Sequence, residues 1–204
     1  PGLPIGRFPA IGLDELVAIA DLQTRRDRKY LIPAETACDL LHGVRARALE
    51  IDGRRSFRYE SIYFDTDEWD SYLGAARRRP RRFKVRTRTY LDSDECMLEV
   101  KVRDHRGNTV KHRFPYDPRH RHTLTGHALE FVTGVAAAAP FAARLRPVLT
   151  VEYRRSTLVL DDRLDRVTID RAASWRAPDS AALELRDLVL IETKTTGAPC
   201  SVDR

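Results

Sequence analysis

A strict alternation of charged and apolar residues over residues 83–90 and 97–103 is the feature that most constrains the fold. Lysine or arginine occupies every second position from Lys84 to Arg88, and the second segment repeats the pattern around one carboxylate. A period of two predicts β-strands with one charged and one apolar face. Turn residues at 92–94 and 104–108, followed by a third such segment at 109–114, predict that the three strands pair as a meander. One face would then carry seven cations and one carboxylate: Lys84, Arg86, Arg88, Lys101, Arg103, Lys111, Arg113 and Glu99.

Such a face is unfavourable by itself, because like charges opposite one another on neighbouring strands repel. We therefore expect an anion to bind there. The net charge of +6 agrees with an anionic partner but does not identify it.

Length and composition bound the class of protein. The chain has 204 residues, with 42% hydrophobic and 32% charged content, which is typical of a globular protein. We expect an N-terminal segment with a short helix over residues 1–22 and a single domain over 23–204. The three cysteines form no Cys-x-x-Cys pair, so a zinc knuckle or disulfide framework is not indicated, and a cytoplasmic location is the simplest expectation. No apolar run is long enough to predict a membrane segment.

The remaining patterns predict an α+β fold, an eight-stranded antiparallel β-barrel with flanking helices. Its charged faces would line a water-filled lumen, and its apolar faces would lie under the helices. Trp69 and Tyr72 share a helical face and are expected in the core. Strands are predicted at 25–32, 57–65, 82–91, 95–103, 109–116, 147–155, 156–162, 165–171 and 187–194. Helices are predicted at 12–22, 33–42 and 67–73, with two helical pieces within 117–145.

The later strands also place carboxylates beside cations. Glu192-Thr-Lys194 repeats the arrangement of Glu99-Val-Lys101, with both charges on one face. Carboxylates suit a hard divalent cation, and lysine and arginine suit phosphate oxygens, so the pattern indicates a metal–polyphosphate site. Cross-strand salt bridges on a solvated face are the alternative. Two further pairs of this kind lie in strands, Glu152 with Arg154 and Arg166 with Asp170.

Several other chemistries are excluded by missing motifs. The sequence has no Walker A loop, no nucleophile elbow and no His-Glu-x-x-His. The charged strands lack the stacking aromatics that single-strand binders use, so nucleic acid is not an expected partner.

Six short motifs occur in an order that resembles the polyphosphate-polymerase domain of the vacuolar transporter chaperone complex and its bacterial relatives. That domain is one of the triphosphate tunnel metalloenzymes, which are related to the CYTH proteins. The resemblance covers about residues 22–198. The motifs are Arg28-Lys-Tyr-Leu-Ile32, Ser61-Ile-Tyr-Phe-Asp-Thr66, Lys84-Val-Arg-Thr-Arg88, Leu98-Glu-Val-Lys101, Val151-Glu-Tyr-Arg154 and Ile191-Glu-Thr-Lys194.

The resemblance implies a basic tunnel that holds ATP, another nucleoside triphosphate, triphosphate or polyphosphate, together with Mn²⁺ or Mg²⁺. Glu192 would be the metal ligand, with Glu99 and Glu152 as further candidates. Arg86, Arg88, Lys101 and Glu192 would form the catalytic set, and a membrane-bound partner is compatible with this family. The expected phosphate ligands are Lys29, Lys84, Arg86, Arg88, Lys101, Arg103, Lys111, Arg113, Arg154, Arg166 and Lys194.

Three activities follow as alternatives: polyphosphate synthesis by phosphoryl transfer, hydrolysis of a triphosphate, and binding of a polyanion without turnover. Among the tunnel enzymes that the sequence resembles, the hydrolytic members carry Glu-x-Glu-x-Lys on the first strand. Here that register contains Arg25-Arg-Asp27-Arg-Lys29, with one carboxylate in place of two. This difference argues against triphosphate hydrolysis and against a two-metal site, and it is compatible with binding without turnover.

Overall fold

The computed structural model describes residues 2–20, 26–103, 109–162 and 164–203, and it confirms the α+β class. Within these ranges, eight strands contain eight or more residues, and their pairings are antiparallel wherever the register is defined. The strands are β1 (Ala10–Ile11), β2 (Arg26–Pro33), β3 (Ala46–Leu49), β4 (Phe57–Asp65), β5 (Arg82–Tyr90), β6 (Glu95–Arg103), β7 (Thr109–Tyr116), β8 (Arg146–Leu160), β9 (Arg166–Arg176), β10 (Leu183–Glu184) and β11 (Leu188–Thr195). The helices are α1 (Leu13–Ala20), α2 (Ala34–His42), α3 (Asp70–Ala76) and α4 (Gly126–Thr133), with 3-10 turns at Ile5–Arg7, Pro118–His120, Ala139–Arg144 and Ser201–Asp203.

The first of two compact units comprises Pro1–Arg58, Tyr153–Ala173 and Glu184–Arg204. In this unit β2, β11, β9 and β8 are hydrogen-bonded neighbours in that order, and β3 joins β8 while pairing in parallel with β1. One face of the sheet is apolar and packs against α2. Its buried core includes Leu41 of the helix with Leu158, Ile169 and Ile191 of three strands. The opposite face of β11 carries Glu192 and Lys194.

The second unit comprises Tyr59–Glu152 and Ser174–Leu183. Here β4, β5, β6 and β7 are neighbours in chain order. The apolar face of these strands packs under α4 and the 3-10 turn at Ala139–Arg144. Two stacked ring pairs join sheet and helices, Phe83 with Phe141 at 4.8 Å and Phe114 with Phe131 at 5.3 Å between centroids. The apolar face therefore lies under helices, as the alternation predicts.

Three details differ from the sequence-based expectations. The strands predicted at 147–155 and 156–162 are one continuous strand, β8, because no residue near 155 breaks the ladder. The region 117–145 contains α4 and two 3-10 turns in place of two longer helical pieces. The short strands β1, β3 and β10 were not predicted.

The expectation that Trp69 and Tyr72 lie in the core is wrong. Their side chains are 48% and 63% exposed. Asp65 accepts hydrogen bonds from the backbone N–H groups of Thr66, Ser71 and Tyr72, which fixes the first turn of α3. Since the buried Ser71 donates to the Phe83 carbonyl oxygen, α3 presents the two aromatic rings outward.

Candidate functional site

The predicted meander of charged strands is present, and all eight charged side chains lie on one face. Strand register aligns Arg86, Glu99 and Arg113 in one cross-strand row. The adjacent row contains three lysines, Lys84, Lys101 and Lys111. We call this surface the β5–β7 cationic face. Its members are Lys84, Arg86, Arg88, Glu99, Lys101, Arg103, Lys111 and Arg113.

Glu99 is the one carboxylate of the β5–β7 cationic face, and it is 2% exposed. Arg86 donates from Nε and Nη2 to Glu99 Oε2 at 2.8 and 2.5 Å. Arg113 Nε lies 3.2 Å and Lys111 Nζ 3.7 Å from Oε1. Both oxygens of Glu99 are therefore engaged by cations.

The pKa values of this cluster reflect its burial and charge. Burial raises the pKa of Glu99, but Arg86, Arg88 and Lys111 outweigh it and lower the pKa to about 2. The pKa of Lys111 is lowered to about 8, first by burial and then by Arg113, although Glu99 opposes the shift. Glu99 is thus ionised throughout the neutral range, and Lys111 is close to losing its proton there.

Tyr63 extends the cluster onto β4. Arg86 donates from Nη1 to the Tyr63 hydroxyl at 3.1 Å, and its guanidinium carbon lies 5.8 Å from the ring centroid. Burial raises the pKa of Tyr63, but Arg86 and Arg88 lower it by a larger amount, so the net shift of the pKa is downward. The position of Arg86 is therefore fixed from two sides.

Several cations on this face have no carboxylate partner. Within the described residues, Lys84, Arg88 and Arg103 form no ion pair. Arg88 instead donates to Ser61 Oγ at 3.4 Å and lies over the Tyr59 ring, 5.6 Å from its centroid. The face therefore has an excess of positive charge. Directly opposed cations repel one another, and a bound polyanion would reduce this repulsion.

The first unit contains a second cluster, centred on Glu192. Register aligns Glu192 with Lys29 of β2 and Thr168 of β9. Lys194 Nζ lies 3.1 Å from Glu192 Oε2. The pKa of Glu192 is lowered to about 2, because Lys194, Lys29 and Arg155 outweigh the raising effect of burial.

Two polar atoms beside Glu192 are buried without a hydrogen-bond partner. Thr168 Oγ1 makes no hydrogen bond, and Lys194 Nζ approaches Glu192 at ion-pair distance but outside hydrogen-bond geometry. The two residues are 5% and 8% exposed. Burial lowers the pKa of Lys194 to about 8, and Arg155 adds to the effect while Glu192 opposes it. Unsatisfied buried polar atoms carry a free-energy cost, which a bound ligand or water would remove.

Arg155 and Asp170 form a two-point ion pair in this unit. Arg155 donates from Nε and Nη2 to the two carboxylate oxygens at 2.6 and 2.7 Å. The guanidinium also lies over the Tyr153 ring, 5.1 Å from its centroid. Burial lowers the pKa of Arg155, but Asp170 raises it by more, so this cation is permanently charged. It adds a fixed positive charge near Glu192.

The structure groups most of the predicted site residues, and it places two elsewhere. Lys29, Arg166, Glu192 and Lys194 are in adjacent register rows of the first unit. Arg154, by contrast, is exposed, and Glu152 lies 4.0 Å from Arg176. They lie on β8 but make no described contact with either cluster.

Arg155 is a residue of the Glu192 cluster that the sequence argument did not select. Arg154 has the same parity along β8 as Leu158 and Leu160, which belong to the apolar core. The alternation therefore places Arg155 on the charged face. The prediction of two separate strands, 147–155 and 156–162, hid the alternation that continues along β8.

A divalent metal ion fits the Glu192 cluster better than the Glu99 cluster. The described residues contain no group of three His, Cys, Asp or Glu side chains that would hold a metal alone. Mg²⁺ commonly uses one or two carboxylates together with water and substrate phosphates. Glu192 has a single cation at ion-pair distance among the described residues, whereas both oxygens of Glu99 are engaged.

Comparison with known families agrees with this geometry. The VTC domain family matches residues 24–199. No curated protein matches the sequence at a significant level. No helix in the described part of the chain has the length and apolar character needed to cross a membrane.

Two solved structures share the fold. One is a candidate adenylate cyclase from Bacillus halodurans, with a TM-score of 0.54 and 14% identity over 86% of this chain and 82% of that chain. The other is a candidate adenylyl cyclase from Hippeastrum with a dominant triphosphatase activity, with a TM-score of 0.51 and 16% identity over 85% of this chain and 80% of that chain.

These two proteins share the fold that carries the two charged faces. This chain is a member of the VTC domain family.

Proposed function

We infer that this protein is a metal-dependent phosphotransferase of the polyphosphate-polymerase type. It would bind a nucleoside triphosphate such as ATP and transfer the terminal phosphoryl group to a polyphosphate chain. The observation that carries the proposal is the β5–β7 cationic face, which has seven cations around a single buried carboxylate. The family membership supports the same substrate class.

The arrangement suits phosphoryl transfer because the reaction depends on positioning and charge neutralisation more than on covalent chemistry. An oxygen of the terminal polyphosphate group would attack the γ-phosphorus of the nucleoside triphosphate. The bond from that phosphorus to the bridging oxygen would break, which leaves a nucleoside diphosphate and a chain longer by one phosphate. Arg86 and Arg88 would hold phosphate oxygens in line, and Lys101 would neutralise charge that develops during transfer.

Mn²⁺ or Mg²⁺ would be held by Glu192 and would neutralise phosphate charge when bound. Lys194 and Thr168, whose buried polar atoms lack hydrogen bonds, would orient substrate oxygens beside it. Lys29 and Arg155 would supply further positive charge to this cluster.

The test is to incubate the protein with ATP and Mn²⁺. Gel electrophoresis then separates any polyphosphate by length, and a second assay measures the orthophosphate released. We expect polyphosphate and ADP as products, with one ADP formed for each phosphate added to the chain. The same assay with Arg86→Gln should show strongly reduced synthesis, since that change removes a permanent cation from the face.

Two other outcomes would replace the proposal. Release of orthophosphate without chain growth would show a triphosphate hydrolase. Tight binding of tripolyphosphate with neither product would show a binding module, particularly if the affinity did not depend on metal or on Glu192.

A further inference from the structure

We propose that an arginine rim at one end of the second unit binds the part of a polyphosphate chain that extends beyond the β5–β7 cationic face. The inference rests on the proposed function and adds a chain-length preference to it. The rim consists of Arg77, Arg78, Arg79, Arg81, Arg82 and Arg103.

The rim continues the cationic face directly. Arg82 and Arg103 are opposite one another at the ends of β5 and β6, two residues beyond the lysine row. With a rise of about 3.3 Å per residue, this row lies about 13 Å from the row of Arg86 and Glu99. A short triphosphate held near Glu99 would not need the rim, whereas a longer chain along the strands would reach it.

The loop that carries the rim is ordered by backbone hydrogen bonds. The N–H groups of Arg77, Arg78 and Arg79 donate to carbonyl oxygens of Leu73, Ala75 and Gly74 at the end of α3. Arg78 has a φ of +52°, a backbone conformation that carries strain for a residue with a side chain. The loop therefore presents its arginines from a defined backbone, which lowers the entropy lost on binding.

The positive charge of the rim is not neutralised by the acidic residues nearest in sequence. Residues 77–81 are exposed, and their arginines form no ion pair within the described chain. The acidic side chains before and at the start of α3 are instead paired with arginines from the region before and at the start of β8. Arg144 Nη1 lies 2.7 Å from Glu68 Oε2 and Arg144 Nη2 lies 3.7 Å from Asp70 Oδ2, and Arg146 pairs with Asp67.

A structural explanation accounts for only part of this charge. Cations near a helix C-terminus are stabilised by the helix dipole, but the effect falls off within the last turn. Arg77 alone satisfies that preference for α3. The rim contains five further arginines, and two of them, Arg82 and Arg103, are directly opposed across β5 and β6, which is costly unless an anion is bound.

The experiment compares a triple variant, Arg78→Gln with Arg79→Gln and Arg81→Gln, with a charge-matched control, Arg119→Gln with Arg176→Gln and Arg186→Gln. The control arginines are exposed and each is paired with a carboxylate. Binding of tripolyphosphate and of a long polyphosphate chain is measured by calorimetry over a series of salt concentrations.

We expect the wild type to bind the long chain more tightly than tripolyphosphate. The triple variant should weaken long-chain binding about tenfold, with tripolyphosphate binding unchanged. Its slope of log affinity against log salt should fall by about 2, by analogy with three lost contacts to a single strand of nucleic acid. The control should behave as the wild type.

An unchanged affinity of the triple variant for the long chain, with normal tripolyphosphate binding, would overturn the rim but not the proposed function. Absence of tripolyphosphate binding in the wild type would overturn both. Equal or tighter binding of a single-stranded RNA, lost in the triple variant, would overturn the assignment to polyphosphate. A second readout requires no variant. It compares the wild type's slope of log affinity against log salt for tripolyphosphate with its slope for the long polyphosphate chain.

Discussion

The two units contain the same three-residue pattern, Glu-x-Lys, with different partners around the carboxylate. In the second unit Glu99 contacts Arg86, Arg113 and Lys111, while Lys101 aligns with other lysines. In the first unit Glu192 contacts Lys194 of its own strand. The difference arises from the neighbouring strands, which place arginines on both sides of Glu99 but Lys29 and Thr168 beside Glu192.

The comparison teaches that the motif alone does not define a metal ligand. Glu99 holds several cations in place, and its two oxygens therefore have little remaining capacity to coordinate a metal ion. Glu192 has one close cation, Lys194, and both this lysine and the neighbouring Thr168 have buried polar atoms without a hydrogen bond. We therefore assign Glu99 a positioning role and Glu192 the metal-binding role within the proposed function.

The largest expected effect is on metal-dependent activity. Glu192→Gln removes the proposed metal ligand while keeping the size of the side chain. Loss of a preorganised group that acts on developing charge reduces turnover about 10²–10³-fold, and we expect a loss of that size in ATP-dependent synthesis with Mn²⁺. Steady-state kinetics over a Mn²⁺ series checks it.

Glu99→Gln is the matched control, and it should leave the Mn²⁺ dependence of the remaining activity unchanged. Equal loss of metal response in both variants would show that the two carboxylates share the metal, contrary to the assignment above.

The second effect is on the free energy of unfolding. The pKa of Glu99 is lowered from 4.5 to about 2, which corresponds to about 3 kcal/mol of stability. This contribution is present above pH 4.5, where the unfolded carboxyl is also ionised, and is lost as the pH falls towards 2. Glu99→Gln should therefore lower the unfolding free energy by about 3 kcal/mol at pH 7, measured by urea denaturation.

Glu192→Gln should be less destabilising, although the pKa of Glu192 is also about 2. Lys194, with a pKa of about 8, can release its proton when its partner is removed, whereas Arg86 cannot. If Glu192→Gln were the more destabilising of the two, this difference between the clusters would be refuted.

The smallest effect is a pH dependence of binding. Lys194 and Lys111 have pKa values of about 8, so each loses its charge as the pH rises above that value. Tripolyphosphate affinity should be constant between pH 6.5 and about 7.5 and should fall above pH 8, by up to about tenfold per pH unit for each lysine. Isothermal calorimetry at fixed ionic strength measures it.

Lys194→Arg should flatten this profile more than Lys111→Arg, because Lys194 is 10% exposed at the side chain and Lys111 is 37% exposed. Arginine retains its charge over the whole range. Profiles of wild type and both variants that coincide would show that neither lysine faces the ligand.

Much of the second unit could be predicted from sequence, because β5, β6 and β7 alternate without interruption and only short segments separate them in the sequence. That pattern determines which side chains share a face, and the meander determines their neighbours. Arg86, Glu99 and Arg113 therefore share one face, as expected. The exposure of Trp69 could not be predicted in this way, because it depends on the three hydrogen bonds that Asp65 accepts.

The alternating sequence by itself determined the charged and apolar faces of each strand, since side chains on a strand point to opposite sides at every step. Only the tertiary structure decided how each carboxylate is used. The adjacent strands β5 and β7 supply the partners of Glu99, whereas Glu192 lies between Lys29 of β2 and Thr168 of β9, which are distant from it in sequence. The choice between Arg154 and Arg155 depends on β8 continuing without a turn. Register and strand continuity are set by packing over the whole sheet, so short motifs do not encode them.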